Sequence, residues 1–384
     1  GIALVMLNKK SFTGEDTIEL QAHGGTVVLR SIISSVVQAG ARIADPGEFS
    51  KRAFLNGKID LTQAEAICDI INAKSDRAAK AALRQLNGSL SNICHKIYSN
   101  LIEITANLES TIDFVEDELP NDVFTDIQYK LNNTLNDINE LIYTWNEGRI
   151  LREGISIAII GKPNAGKSTL FNNLLGEDRA IISNIPGTTR DFLEENYVID
   201  GYPFKLVDTA GLRESICNIE LEGIRRTKLY TKQADIILYL IDASKPFESD
   251  DKLQLSKINN DRLIIVLNKI DNGKCITINN GVEISALHKK GLNNLKKRII
   301  KIIKKDNNDI GSEAMISERH KSLLIASKNE MILAHNLLND SIEENSVFIC
   351  DHLRKALEFI GQITGQIYHN ELLDNIFSRF CIGK

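Results

Sequence analysis

The spacing of apolar residues changes along the chain, and each change predicts a different kind of structure. Within the first 50 residues, Thr17–Gln21 alternates like a strand, whereas Val27–Ala39 has helical spacing and ends at Gly40. From Leu61 to Trp145 apolar residues recur every three or four positions, which is typical of long amphipathic helices. We therefore predict a short α+β N-terminal region followed by helices.

Two apolar stripes define the longest predicted helices. The first stripe comprises Leu90, Ile93, Ile97, Leu101, Ile104, Leu108 and Ile112. The second follows Pro120 and comprises Ile127, Leu131, Leu135, Ile138, Ile142 and Trp145. Long helices joined by short loops pack side by side, so we expect a helical bundle rather than a solitary coiled coil.

From Gly154 onward the pattern becomes a series of continuous apolar runs, as expected of strands buried on both faces. The runs are Ile155–Ile160, Phe204–Val207, Ile236–Ile241 and Leu263–Leu267, with helical segments between them. This alternation predicts an α/β domain with a mostly parallel sheet. Helical spacing returns after Glu313, so the α/β domain is predicted to be inserted into an all-α helical domain. The predicted boundaries are 1–56 for the N-terminal α+β fragment, 57–150 and 313–384 for the two parts of the helical domain, and 151–312 for the α/β domain.

Composition narrows the class of protein. Acidic residues outnumber basic ones by 51 to 46 in a chain of 384 residues, which argues against a uniformly basic coat for nucleic-acid binding. The cysteines occur singly, without the spacing of a metal site, at positions 68, 94, 217, 275, 350 and 381. No apolar run reaches the roughly 18–20 residues of a membrane span. We expect a cytoplasmic protein with no membrane partner.

A phosphate-binding loop is predicted at Gly161–Ser168, which reads Gly-Lys-Pro-Asn-Ala-Gly-Lys-Ser and lies between an apolar strand and the helical run Leu170–Leu175. Backbone N–H groups of such a loop and the helix N-terminus surround a phosphate chain. Lys167 would reach the β- and γ-phosphates, and Ser168 would bind Mg²⁺. The other predicted nucleotide contacts in this region are Asn164, Ala165, Gly166 and Thr169.

Three further elements follow in the order expected of a guanine-nucleotide-binding domain. Asp208-Thr209-Ala210-Gly211 follows a strand, where the aspartate can hold Mg²⁺ through water and the Gly211 amide can contact the γ-phosphate. Asn268-Lys269-Ile270-Asp271 follows the next strand, and its terminal carboxylate can accept two hydrogen bonds from guanine. Ser285-Ala286 lies where a backbone amide can meet guanine O6. The set predicts a hydrolase that acts on the β–γ phosphoanhydride of GTP.

A switch segment is predicted at Gly187-Thr188-Thr189-Arg190-Asp191, in which a threonine would complete the Mg²⁺ shell. Ras-type proteins orient the attacking water with a Gln where this chain has Leu212, so another group must act. The nearby acids are Glu214, Glu220 and Glu222. Arg190, Arg213 or a monovalent cation at Asn164 could offset transition-state charge, although chemistry alone favours a loop-stabilising hydrogen bond for Asn164.

Four stretches resemble the MnmE (also called TrmE) family of tRNA-modification GTPases. They are Gly14–Leu20 with His23–Gly25, Arg52–Leu61 with Gln63–Ala66, the GTPase elements above, and the terminal Phe380–Lys384. The resemblance covers essentially the whole chain and implies a GTPase domain inserted into a helical domain, after a folate-binding domain that dimerises. The family begins with further N-terminal residues, so we expect this chain to be N-terminally truncated.

The resemblance also implies a specific activity. Members of the family work with an MnmG-type flavoprotein to modify C5 of the wobble uridine of tRNAs, which acquires an aminomethyl or carboxymethylaminomethyl group. A folate such as 5-formyltetrahydrofolate is implied as a cofactor. GTP hydrolysis in the family is stimulated by K⁺ and coupled to dimerisation of the GTPase domains, so a homodimer is expected.

Individual residues inherit roles only through this resemblance. Ser168 and Thr189 would hold Mg²⁺, whereas the implied K⁺ ligands are Asn164, Ser183, Ile185 and Thr188. Glu220 matches the acid that activates water, and Lys167 is the second residue implied in catalysis. The implied folate contacts are Glu19, Lys58 and Lys384. Cys381 lies in the terminal motif near the folate site, and its chemical role is open.

Two alternatives remain from the sequence. A ribosome-assembly GTPase of the Era or Der type shares a similar loop and K⁺ use, but it carries a C-terminal KH-like RNA domain with a GxxG loop. The C-terminal region here has helical spacing and lacks that loop. The second alternative is a folate-binding protein whose GTPase only regulates a partner, which predicts slow hydrolysis and unchanged modification after mutation of Lys167.

Overall fold

The chain divides into two compact units in the computed structural model. The structure describes residues 1–7, 10–113, 121–177, 194–208, 234–256, 258, 260–306, 314–340 and 342–383. One unit, which we call the helical unit, comprises 1–71, 81–145 and 313–384. The other, which we call the sheet unit, comprises 72–80 and 146–312.

The described elements follow in chain order. The helices are α1 (Thr26–Gln38), α2 (Glu48–Leu55), α3 (Leu61–Ile71), α4 (Asp76–Leu86), α5 (Ser89–Asp113), α6 (Asn121–Tyr143), α7 (Trp145–Glu153), α8 (Lys167–Glu177), α9 (Ser249–Leu255), α10 (Leu292–Asp306), α11 (Glu318–Asp340), α12 (Ile342–Thr364) and α13 (Asn370–Phe377). The strands are β1 (Ile2–Met6), β2 (Thr17–Gln21), β3 (Ile155–Gly161), β4 (Glu194–Ile199), β5 (Tyr202–Asp208), β6 (Ile236–Asp242), β7 (Leu263–Asn268) and β8 (Val282–Glu283).

Helices α5, α6, α11 and α12 form a bundle around one apolar core. The fully buried members of the first stripe on α5 are Leu90, Ile97, Leu101, Ile104 and Leu108. Side chains three or four residues apart share a helix face, so one stripe is removed from water as a unit. The predicted bundle is therefore confirmed. No helix within the described ranges combines the length and the apolar character that crossing a membrane requires.

The N-terminal region of the helical unit combines a hairpin with a helix. Strands β1 and β2 pair antiparallel, with Ile2 opposite Gln21 and Met6 opposite Thr17. Helix α1 buries none of its side chains, and Val27 and Ile33 are 76% and 54% exposed. Helix α1 therefore presents apolar side chains to solvent within the described part of the chain.

The C-terminal residues lie against α2. Pro46 forms an antiparallel bridge with Ile382, and the Gly47 amide donates to the Cys381 carbonyl over 3.4 Å. Gly47 has φ +67°, and a Cβ there would lie 2.7 Å from the Phe377 carbonyl oxygen, so glycine is required. Phe380 packs against Phe377 with ring centroids 5.2 Å apart. Phe380 also shares a core cluster with Phe54 and Leu61, so the fold joins two of the stretches that carried the resemblance.

Helix α3 begins with a capping box. The Gln63 amide N–H donates to the Asp60 carboxylate (2.9 Å), and the Asp60 N–H donates to the Gln63 side-chain oxygen (2.9 Å). Ser91 and Thr62 also donate to this carboxylate. Gly57, which lies three residues before Asp60, has a left-handed backbone with φ +64°. Part of the Arg52–Leu61 stretch therefore starts a helix, independently of any ligand.

An ionic cluster joins α3 to α11 and α12. Glu65 contacts Arg319 at 2.9 Å and the fully buried His320 at 2.6 Å. Arg319 also donates to the backbone carbonyls of Gln362 (2.9 Å) and Ile363 (3.1 Å). Burial raises the pKa of Glu65, but the charges of Arg319 and His320 and their hydrogen bonds outweigh it and hold that pKa far below its usual value. The cluster couples residues that are remote in sequence.

The sheet unit contains a six-stranded sheet in the order β4-β5-β3-β6-β7-β8. All neighbouring pairs are parallel except β4 with β5. Parallel pairing brings the carboxyl ends of β3, β5, β6 and β7 to one edge, where open α/β sheets bind ligands. The predicted α/β domain within a helical chain is confirmed.

The structure corrects several details of the sequence interpretation. Trp145 does not continue the second stripe on one helix, because α6 ends at Tyr143 and Trp145 begins α7. Its ring lies under the Lys321 amino group, 3.4 Å from the ring centroid. The edge strand β4, which starts on Glu194, and the two-residue β8 were not anticipated, since neither forms an apolar run. Helix α13 was likewise missed.

Candidate functional site

The loop between β3 and α8 has the backbone of a phosphate-binding loop. Gly161 (φ +145°), Asn164 (φ +62°) and Gly166 (φ +97°) all have positive φ. A Cβ on Gly161 would lie 2.3 Å from the Leu240 carbonyl oxygen, and one on Gly166 would lie 2.2 Å from Asn268 Nδ2. Only glycine fits at these two positions, which explains the spacing of the motif.

Three predicted nucleotide contacts lie in the first turn of α8. The Lys167 amino group donates to the carbonyls of Gly161 (2.9 Å) and Lys162 (2.8 Å), so it lies within the curve of the loop. Ser168 and Thr169 are exposed, whereas Ala165 is buried. The turn presents backbone N–H groups and a hydroxyl at the positive end of the helix dipole, where an anion is stabilised.

An ion-pair clamp holds the loop from outside, and sequence reasoning missed it. Lys162 contacts Glu248 at 2.8 Å and Asp251 at 2.9 Å, and Tyr239 donates to the other Asp251 oxygen over 3.1 Å. The hydrogen bond from Lys162 to Glu248 raises the pKa of Lys162 above its usual value most, and the hydrogen bond to Asp251 raises it by a smaller amount. Lys162 occupies a variable position of the motif, so only its partners, the residue before α9 and Asp251 on α9, give it this role.

Asn268 joins the phosphate loop to the loop Ser285–Lys290, which we call the predicted guanine loop. It is 2% exposed, its Nδ2 donates to the Ala165 carbonyl (2.8 Å), and its Oδ1 accepts from the Ala286 amide (2.9 Å). Asn173 donates to the Ala286 carbonyl from α8. Asn268 is therefore a structural bridge, and sequence reasoning had placed it only among nucleotide contacts.

Asp271 is held as a carboxylate beside the Ser285–Lys290 loop. Its pKa is lowered chiefly by a hydrogen bond from Ser285, with smaller contributions from His288 and Lys290. His288 Nε2 lies 3.8 Å from the Asp271 carboxylate. An ionised, oriented carboxylate is the group that accepts the paired N–H donors of guanine. The loop thus fixes both the charge and the direction of Asp271.

Lys269 contacts the sheet through its side chain. Its backbone has φ +64°, and its amino group donates to Asp242 at the end of β6 over 2.8 Å. Burial by itself raises the pKa of Asp242. The hydrogen bonds from Lys269 and Ser244 together lower that pKa by more than burial raises it, so the net shift is downward. Lys269 therefore connects the carboxyl ends of two neighbouring strands.

The remaining predicted GTPase residues are only partly described. Asp208 is the last residue of β5 and pairs in register with Ile159 of β3, so its backbone lies at the same sheet edge as the phosphate loop. The predicted residues that lie outside the described ranges are Ser183, Ile185, Thr188, Thr189, Thr209, Ala210, Gly211, Glu220 and Lys384. Their roles stay predictions.

The residues implied in folate binding lie in the helical unit. Glu19 is on exposed β2 and accepts from Gln21 over 2.8 Å. Lys58 passes close to Gly14, where a Cβ would lie 3.2 Å from its side chain. Cys381 is exposed at the terminal segment against α2. The shared role of Glu19, Lys58 and Cys381 in folate binding stays a prediction.

A cavity of about 330 Å³ lies between β2 and α2, lined by polar and charged residues that include Thr13, Glu15, Thr17, Arg42, Glu48 and Arg52. Arg42 holds Glu48 at 2.6 Å, and Arg52 holds it at 2.7 Å. These two hydrogen-bonded arginines, Arg42 foremost, lower the pKa of Glu48 to about 2. The cavity is in the size range of small-molecule sites.

Comparison with protein families gives two matches that together span nearly the whole chain. The model for the MnmE helical domain matches residues 61–381, and the model for the GTP-binding protein TrmE N-terminus matches residues 1–58.

Individual relatives agree with the family match. The tRNA modification GTPase MnmE of Aquifex aeolicus (strain VF5) is 41% identical over 389 residues, which cover 100% of this chain and 86% of the relative. MnmE of Protochlamydia amoebophila (strain UWE25) is 42% identical over 388 residues, which cover 100% of this chain and 84% of the relative. Among solved structures, the G domain of the T. maritima FeoB iron transporter is 27% identical to this chain. The matched region covers 39% of this chain and 98% of that G domain, and the TM-score is 0.30. On the family match and the full-length identity, this chain belongs to the MnmE family of tRNA modification GTPases.

Proposed function

We propose that this chain binds and hydrolyses GTP as part of the modification of the wobble uridine of tRNA, together with an MnmG-type flavoprotein. One observation carries the nucleotide part of the proposal. Asn268 bonds to the phosphate loop through Ala165 and to the predicted guanine loop through Ala286, while Asp271 is held ionised nearby. The two halves of a guanosine polyphosphate would therefore meet one pre-organised surface.

Lys167 provides the charge for the phosphate half. Its amino group now donates to two carbonyls of its own loop. A phosphate oxygen is a stronger acceptor for an ammonium group than a neutral carbonyl is. We infer that Lys167 exchanges these partners for the β- and γ-phosphates and stabilises the charge that develops on the leaving phosphate.

Mg²⁺ fits the oxygen donors at this edge of the sheet. Ser168 is exposed on the first turn of α8, and Asp208 ends the neighbouring β5. Hydroxyl and carboxylate oxygens are the donors that Mg²⁺ prefers. Ser168 and Thr189 would hold the ion, which would supply positive charge to offset the negative charge of the phosphates.

Water activation is assigned to Glu220, and charge compensation to K⁺, by family membership. The inferred K⁺ ligands are Asn164, Ser183, Ile185 and Thr188. Asn164 supports the K⁺ proposal. Its backbone is left-handed, and its side chain is exposed on the phosphate loop. Hydrolysis rates in KCl and NaCl test the cation, and equal rates would exclude it. Glu220→Ala tests the acid, since an unchanged rate would exclude that role.

Homodimerisation and folate binding are assigned to the N-terminal region. The exposed apolar face of α1 supports contact with a second copy of the chain. The polar cavity between β2 and α2 supports a small-molecule ligand such as 5-formyltetrahydrofolate, although Glu19 and Lys58 are not among its lining residues. Glu19, Lys58 and Lys384 are proposed as folate contacts by family membership alone. Cys381 is proposed to act near that site. Sedimentation of the pure chain and calorimetry with the folate test the two assignments separately.

Calorimetry and complementation together test the function. In magnesium buffer we expect heat on addition of GDP or GTP but not ATP, and competition by ATP would refute guanine selectivity. Lys167→Ala should abolish GTP hydrolysis and wobble-uridine modification in a deletion strain, whereas Lys245→Ala, at an exposed lysine of the same unit, should preserve both. Modification that persists with Lys167→Ala would favour a purely regulatory GTPase. Normal wobble uridines in the deletion strain would favour the ribosome-assembly alternative, which the family match does not support.

A further inference from the structure

A strongly basic surface lies on a chain that is acidic as a whole. Between Ile284 and Lys305 the sequence contains eight lysine and arginine residues and no aspartate or glutamate, although the net charge of the chain is −5. Among the side chains of this segment that the structure describes, the exposed lysines are Lys289, Lys290, Lys297, Lys301 and Lys304. We call these five residues the α10 surface. A local excess of one charge sign creates a potential that attracts polyanions.

The lysines of α10 share one face of the helix. Lys297, Lys301 and Lys304 are separated by four and three residues, which aligns them over about 10 Å at 1.5 Å per residue. Neither Lys297 nor Lys301 forms an ion pair with an acid in the part of the chain that the structure describes. By contrast, Lys130 on α6 contacts Glu103 and Asp126, both at 2.8 Å. The charges of Lys297 and Lys301 are therefore directed to solvent.

The opposite face of α10 is already occupied. Leu292, Leu295 and Ile299 are at most 2% exposed and pack within the sheet unit. An amphipathic helix that binds a lipid surface needs its apolar face free to enter the acyl boundary. This helix therefore offers charge without apolar area, which fits a hydrated polyanion and not a membrane.

We propose that the α10 surface binds the phosphate backbone of tRNA. The proposal rests on the proposed function, which makes an RNA the substrate of this chain. Phosphates of a folded RNA present closely spaced negative charges, and lysines bind them as point charges without reading sequence. Three aligned lysines on a rigid helix, with two more in the adjoining loop, match such a row of charges.

The surface is continuous with the predicted guanine loop. Ser285 and Lys290 exchange backbone hydrogen bonds of 3.0 and 3.1 Å, and α10 begins two residues later at Leu292. Gly291 has φ +79°, and a Cβ there would lie 2.2 Å from the Glu283 carbonyl oxygen, so this turn is tightly packed. RNA on the α10 surface would therefore lie beside the loop that orients Asp271.

The salt dependence of tRNA binding tests the proposal. A transcribed tRNA with uridine at the wobble position is titrated with the full chain and GDP from 50 to 200 mM KCl, followed by fluorescence anisotropy. Each lost phosphate contact reduces the magnitude of the negative slope of log K against log salt by about 0.7–0.9, so Lys297→Gln/Lys301→Gln should reduce that magnitude by about 1.4–1.8. The same relation predicts binding about 25- to 60-fold weaker at 100 mM KCl.

A matched control uses Lys245→Gln/Lys252→Gln, which removes the same charge from exposed lysines of the same unit near the acids Glu248 and Asp251. This control should bind tRNA like the unaltered chain, and both double variants should keep its GDP affinity and GTP hydrolysis rate. Equal salt slopes for all three proteins would overturn the α10 proposal alone. Failure of the unaltered chain to bind tRNA would overturn it together with the RNA part of the proposed function. Unchanged tRNA binding with loss of flavoprotein association would make α10 a protein interface and also overturn the proposal.

Discussion

Replacement of Asn268 by alanine should weaken nucleotide binding, although this side chain is proposed to act mainly by holding two loops. Asn268 is 2% exposed and forms hydrogen bonds of 2.8 Å to the Ala165 carbonyl and 2.9 Å to the Ala286 amide. Alanine removes both bonds. It leaves one carbonyl and one N–H in a region from which the side chain had excluded water.

The size of the effect follows from these two bonds. A buried hydrogen bond contributes about 1 kcal/mol net, and a buried group left without its partner costs about 1–3 kcal/mol. We expect a total of about 2–4 kcal/mol, because loop relaxation and water recover part of the loss. If nucleotide binding must restore the loop arrangement, GDP affinity falls by about 30- to 700-fold.

Calorimetric titration of GDP in magnesium buffer measures this loss. Asn293→Ala, at an exposed asparagine of α10, is the matched control and should bind GDP normally. Asn268→Asp separates the two bonds, since its carboxylate can still accept from Ala286 but faces the Ala165 carbonyl without a proton. GDP affinities of Asn268→Ala within about threefold of the unaltered chain, with an unchanged melting temperature, would refute the bridging role.

Three other outcomes are expected. Asp271→Asn should weaken GDP by about 10- to 150-fold, as expected from the loss of charged hydrogen bonds of about 1.5–3 kcal/mol, and should improve binding of xanthosine diphosphate in competition assays. Glu65→Gln should lower the free energy of unfolding by about 3–5 kcal/mol in urea titrations, because it leaves the charge of Arg319 without its partner. Since the pKa of Glu48 is lowered from 4.5 to about 2, its contribution to stability is complete above pH 4.5 and is lost as the pH falls towards 2. The difference in melting temperature between the unaltered chain and Glu48→Gln should therefore shrink over that window, and a difference independent of pH would contradict the assignment.

Local pattern was enough to predict the long helices, the buried strands and the order of the nucleotide motifs. The stripe on α5 and the runs that became β3, β5, β6 and β7 could be identified because helices and buried strands impose periods on neighbouring residues. The phosphate loop was identifiable for a related reason. Its glycines are required by backbone geometry within eight residues, so spacing alone carries the signal.

Contacts between distant segments had no such signal and were decided by tertiary structure. Asn268 meets Ala165 across 103 residues, and Lys162 meets Asp251 across 89. The start of a new helix at Trp145 and the edge strand β4 likewise depend on what packs beside them. Sequence by itself therefore determined the long helices, the buried strands and the loop that has the backbone of a phosphate-binding loop, because those properties are local. Only the fold decided which side chains hold that loop, because long-range contacts depend on how the sheet and helices bring remote residues together.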